Sequence, residues 1–137
     1  MLSNIPIVKL GIISVSRDCF VVSISQTRRR EIVKELSNLG ISIVESDVVV
    51  ENENDALKAL DQIKSQGCNA LVVFLGNFGP ETPETLIAKY FDGPVMFASA
   101  AEERGDNLIN GRGDAYCGML NCSYNLGLRK IPAYIPE

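Results

Sequence analysis

Four residues of this chain are best suited to meet a ligand: Arg17, Asn77, Phe78 and Glu81. Arg17-Asp18 directly follows an apolar, β-branched run. A guanidinium there can fork onto a hydroxyl, a carboxylate or a phosphate. The alternative is a solvated loop with a surface ion pair of little energetic weight. The stretch Leu75-Gly76-Asn77-Phe78-Gly79-Pro80-Glu81 carries more chemistry. Its two glycines permit a tight backbone path and positive φ. Asn77 offers an amide, Phe78 a ring face and Glu81 a carboxylate. A ring beside a polar fork suits a sugar, whose C–H surface packs on the aromatic while its hydroxyls pair with the polar groups. The competing reading is a turn whose Phe78 tucks into the core.

No complete catalytic set accompanies these residues. The chain has no histidine. Cys19, Cys68, Cys117 and Cys122 match neither a zinc signature nor a C-x-x-C redox motif. The Gly76–Gly79 turn is not followed by G-K-[ST], which argues against a nucleotide phosphate cradle. Glu102-Glu103, with Arg104 adjacent, could do general acid/base work or bind a divalent ion. The pair equally fits a solvated charge cluster, since loop neighbours seldom point the same way. Arg104-Gly105-Asp106 and Arg112-Gly113-Asp114 repeat a tripeptide read by adhesion receptors, here by chance. A better reading makes Asp114 a helix cap and both glycines joints. Arg28-Arg29-Arg30 reads as a solvated helix face, because consecutive helical residues point in different directions. Asn121, Tyr124 and Asn125 read as interface or surface. Cys117 and Cys122 read as small core residues.

The elements that would position these groups follow from periodicity. Ile7 to Val15, Ile41 to Val50 and the wholly apolar Ala70 to Leu75 read as buried strands. Val95 to Ala98 and Ala133 to Ile135 read as a fourth and a fifth. Ser23 and Gln26 have capping-box spacing, with Ile32, Leu36 and Leu39 on one face and Gly40 as the stop. Asn52 or Asn54 caps a second helix bearing Ala56, Leu60 and Ile63. Thr82-Pro83-Glu84 reads as cap, N1 proline and first-turn acid of a third. A fourth helix starts near Asp114, with Ala115, Met119, Cys122 and Leu126 facing inward.

With 137 residues, 46% apolar and 22% charged, the chain is expected to be a single soluble α/β domain over residues 1–137. Regular alternation predicts a three-layer, doubly wound, five-stranded parallel sheet of flavodoxin-like order 2-1-3-4-5. A Rossmann-like variant is the second choice. In such a sheet the ligand crevice lies where strands one and three diverge, between Ser14–Asp18 and Gly76–Gly79. An aspartate phosphoacceptor is excluded, since strand three ends in Leu75-Gly76-Asn77 and no lysine follows strand five. The net charge of −4 argues against nucleic acid as a partner. Without a basic leader or a run long enough to cross a membrane, the expected location is the cytoplasm, with reduced thiols.

Three segments together, Leu75 to Glu81, Gly93-Pro94-Val95-Met96-Phe97 and Gly111 to Met119, resemble the N-terminal region of the L-fucose/L-arabinose isomerase-like family, nearest its fucose-isomerase-like branch. The resemblance covers about Lys9 to Glu137. It implies one domain of a longer aldose–ketose isomerase that works through an enediol on a divalent metal, commonly manganese. In that family the metal ligands lie in later domains, so none is assigned here and the chain alone is expected to be inactive. The resemblance implies a homo-oligomer in which this domain reaches a neighbour's sugar site. Arg17 and Phe78 match the family's arginine after strand one and aromatic after strand three, with Asn77 beside them. These three are the expected substrate-binding residues. The aromatic is phenylalanine where tryptophan is associated with fucose isomerase, a departure that implies a modified or differently substituted sugar. The alternative is a stand-alone sugar or polyol-binding module without catalysis.

Overall fold

The computed structural model describes residues 4–102 and 111–136. Strands β1 (Leu10–Val15), β2 (Ile43–Val50), β3 (Ala70–Leu75) and β4 (Val95–Ser99) alternate with helices α1 (Val22–Asn38), α2 (Glu53–Ser65), α3 (Glu81–Tyr90) and α4 (Ala115–Leu128). All neighbouring strands run parallel, in the order β2-β1-β3-β4. Successive strand residues point to opposite faces, and the core splits accordingly. Ile13, Val15, Leu71, Val73, Leu75 and Phe97 pack on α2, α3 and α4. Ile12, Val72 and Phe74 face α1 through Ile32 and Val33. The three-layer, doubly wound reading holds.

The fifth strand does not form. Residues 133–135 contribute one parallel bridge, Met96 to Tyr134. Tyr134 donates its N–H to Val95 O (2.9 Å) and accepts from Phe97 N (2.8 Å). Alternate residues of a parallel strand face the same neighbour, so positions 132 and 136 would continue the ladder. Both are proline and have no N–H to give. The sheet is therefore four-stranded with a one-residue margin.

The helix starts depart from their sequence signals. α1 begins at Val22 behind Val21, with no side-chain cap, so the Ser23/Gln26 box is not used. Ser25 is instead buried and donates its hydroxyl to Val15 O (2.7 Å), pinning α1 to the end of β1. Asn52 does cap α2, accepting from Asp55 N at 3.0 Å. α3 starts at Glu81 rather than after Thr82, with Pro80 at the cap position. Asp114 sits at the α4 cap with φ 49° but makes no cap bond; it pairs with Arg112. The carboxylate that serves the α4 N-terminus is Glu102, which accepts from Gly113 N (3.2 Å) and Ala115 N (3.0 Å). Of the expected Glu102–Glu103 pair and the first RGD tripeptide, residues 103–106 lie outside the described residues. No helix among the described residues is long and apolar enough to cross a membrane.

Candidate functional site

β1 and β3 are central neighbours paired in register, with Val15 opposite Leu75. The turns that leave them must emerge side by side. Asn77 ties the two together. Its Oδ1 accepts from Arg17 N (3.1 Å) and Gly79 N (3.4 Å), and its Nδ2 donates to Ser16 Oγ (2.7 Å). Asn77 has no exposed surface. It braces the crevice from within, while the other two expected binding residues face outward. From α1, Arg28 adds a bond from Nη1 to Gly76 O (2.7 Å).

Above this brace lies a half-buried rim. The Arg17 guanidinium stands 5.1 Å from the Phe78 ring centroid, within cation–π range. Phe78 in turn stacks on Phe20, with centroids 6.1 Å apart and planes 7° from parallel. Arg17 Nη1 meets Glu81 Oε1 at 2.7 Å, and Asn121 Nδ2 donates to the same oxygen at 2.7 Å. Asn125 Nδ2 donates to Asn121 Oδ1 at 2.8 Å, extending the network along α4. Burial alone would raise the Glu81 carboxyl, but its own backbone N–H, the Asn121 amide and Arg17 outweigh it and hold the group below the usual range. The side chains of Arg17 and Glu81 keep 39% and 34% of their surface exposed, enough to be reached. A flat aromatic face beside a fork of donors and acceptors can hold a polyhydroxy ring or chain.

The rim is set at its height by α4. A Cβ on Gly118 would lie 1.9 Å from Phe78 O, so only glycine lets the helix approach this closely. Beneath it, Gly79 has φ 78°, and a Cβ there would meet Glu84 Oε2 at 2.6 Å. Glu84 is wholly buried, and neither carboxyl oxygen has a hydrogen-bond partner. Burial pushes its pKa up to about 8, with the nearby Cys122 thiol lowering it somewhat and the Glu81 charge raising it further. Burial thus favours the protonated form of Glu84. Cys122 is pushed up by the same burial and is the core residue the sequence suggested, whereas Cys117, read the same way, is exposed.

Sequence reasoning placed Glu84 as an ordinary first-turn acid and missed its depth. The available signal was the run Thr85, Ile87 and Ala88, all buried on the same short helix. It also missed Phe20, which the turn after β1 folds back onto Phe78. The three-arginine run is not uniformly solvated: Arg30 is exposed, Arg28 is half-buried, and Arg29 is 1% exposed. Arg29 reaches Ser14 Oγ (3.0 Å) and Glu45 Oε2 (3.2 Å), since its position on α1 faces the sheet. Among the described residues no three His, Cys, Asp or Glu side chains are grouped to hold a metal ion. The divalent ion implied by the resemblance has no donor set there.

Comparison with known proteins gives relatives of two kinds. The competence-damage inducible proteins of Clostridium botulinum strains ATCC 19397 / Type A and Langeland / NCTC 10281 / Type F are each 33% identical over 86 residues, which is 61% of this chain and 20% of theirs. The chain thus spans about a fifth of the length of these curated relatives. Among solved structures, ribose-5-phosphate isomerase B of Clostridium thermocellum is 15% identical, covering 88% of this chain and 97% of its own, with a TM-score of 0.34, too slight a likeness to carry an argument. The model of the fucose/sulfoquinovose isomerase N-terminal domain matches residues 11–137, nearly the whole chain, and the chain belongs to that family.

Proposed function

We propose that this domain forms one wall of the sugar site of a fucose-isomerase-like aldose–ketose isomerase, and contributes to the interface that brings this wall to a neighbouring subunit. The observation that carries the reading is the rim: Arg17 lies 5.1 Å over Phe78 and 2.7 Å from Glu81, at the sheet's crevice. Phe78 and Phe20 give a face for the sugar's C–H surface. Arg17 and Glu81 give donors and acceptors for its hydroxyls. Asn77 fixes the distance between the two turns and acts on substrate through them. Membership of an isomerase family supplies the reaction class. Isomerisation through an enediol needs a base beside a polarised carbonyl. This chain has no histidine and no metal-donor cluster among its described residues, so those groups belong to other parts of the enzyme.

The test is to incubate the 137-residue chain with manganese and a panel of aldoses, and to titrate the same sugars into it by calorimetry. The expected result is weak binding at a half-site and no ketose. Robust ketose formation by the chain alone would overturn the proposed division of labour. Tight, saturable binding without turnover would favour a stand-alone sugar-binding module.

A further inference from the structure

Among the described residues, the arginines around the crevice are already partnered. Arg17 is held by Glu81 at 2.7 Å. Arg28 donates to Gly76 O at 2.7 Å and lies 3.9 Å from Glu102. Arg129 directs its N–H groups to Thr82 and Thr85. Two of the helix N-termini near the rim carry carboxylates too, whereas that of α1 has neither a side-chain cap nor an acid in its first turn. α3 carries Glu81 and Glu84 in its first turn, and α4 is served by the Glu102 carboxylate. Other acids crowd the same end of the sheet. Asp18 is exposed next to Arg17, and Glu51, at the end of β2, is raised by its burial and by the charges of Asp55 and Asp18.

A ligand with a fixed negative charge would have to pull Glu81 away from Arg17 or sit against it. A hydroxyl meets no such conflict. Among the described residues Glu81 uses only Oε1, and Arg17 uses only Nη1 of its side chain. A hydroxyl can therefore donate to Oε2 while accepting from the remaining guanidinium N–H groups.

We propose that Glu81 is the specificity-determining residue of this rim, admitting uncharged polyhydroxy ligands and turning away sulfonated or phosphorylated ones. The inference rests on the sugar-site reading above and deepens it. The family's description joins a neutral deoxysugar to a sulfonated one, and Glu81 sorts this chain with the neutral kind. The pair itself adds little to stability at this exposure; its effect is on the field a ligand meets.

The experiment is a titration of the 137-residue chain, followed by NMR at the Arg17 side chain and the 76–81 amides, with L-fucose, sulfoquinovose and methanesulfonate as probes. In the wild type, L-fucose should bind more tightly than sulfoquinovose, and methanesulfonate should leave the rim resonances nearly still. Glu81→Gln should tighten both sulfonates roughly fivefold, as removal of one unit charge about 4 Å away at a wet surface implies, with no matching gain for L-fucose. Asp61→Asn removes a unit charge from the exposed face of α2, outside the rim, and should leave the sulfonate preference unchanged. Sulfoquinovose binding the wild type as tightly as L-fucose would overturn the inference and leave the sugar rim standing; that comparison needs no variant. If no probe moves a rim resonance in any form, the sugar-site reading fails and takes the inference with it.

Discussion

Glu81 and Glu84 stand one helical turn apart on α3 and are treated in opposite ways. Glu81 has two donors on one oxygen, a third of its surface open, and a carboxyl held below its ordinary range. Glu84 has only the weak Cys122 thiol beside it, no open surface, and a carboxyl pushed up to about 8. The arginines repeat the contrast. Arg17 keeps 39% of its side chain exposed, while Arg29 keeps 1%. At the rim, charge is kept and left accessible. On the floor, it is removed or locked away. A rim built of hydrated, partly paired groups can exchange its partners for a ligand's hydroxyls at small cost. A floor without free charge keeps the turns above it in place.

This contrast breaks most sharply with pH. Glu84 has a higher pKa folded than unfolded, so between about 4.5 and about 8 the native state holds a proton that the unfolded chain has lost. Its contribution is complete below the lower value and declines as pH rises through the upper one, at up to about 1.4 kcal/mol per pH unit. Glu84→Gln should flatten that decline and leave the variant more stable than wild type above pH 8, as urea unfolding at several pH values would read. An unchanged slope would mean that Glu84 is ionised in the native state. Arg29→Ala comes next. It opens a cavity beside Ser14 and strands Glu45, and should cost about 3 kcal/mol in chemical denaturation. A loss below about 1 kcal/mol would place Arg29 with the rim rather than the interior. The smallest stability effect belongs to Arg17→Ala, at under about 1 kcal/mol. The same variant should nonetheless abolish the sugar response at Phe78, and an unaltered titration would remove Arg17 from the site.

The sequence exposes what depends on local pattern. β3 is legible to the residue because six consecutive apolar positions bounded by turn residues fit a buried parallel strand, and the run is too short for a helix of ordinary length. The crevice is legible because alternation fixes the topology, and the topology puts Arg17 beside Phe78. What stays hidden depends on through-space partners. Arg17 and Glu81 are 64 positions apart, and no periodicity announces their bond. Asn77 in a glycine-rich turn has the look of a ligand group, yet its amide is spent on two backbone N–H groups and the Ser16 hydroxyl. Arg29 carries the same letter as its neighbours, and only the angle of α1 against the sheet separates it from them. The Ser23 box loses to Ser25, whose tertiary bond to β1 outweighs a local cap. For the last segment, composition favours a strand and the two prolines permit one rung of it.

Those prolines have a consequence for how the molecule keeps to itself. An open β-margin is a template on which another chain can polymerise. On the β4 side, Pro132 and Pro136 restrict the outermost segment to a single residue, too short to recruit an incoming strand. On the β2 side, Glu45 and Asp47 and the break in register opposite Ile12 and Ser14 discourage the same event. Among the described residues, edge-to-edge pairing is thereby disfavoured at both margins.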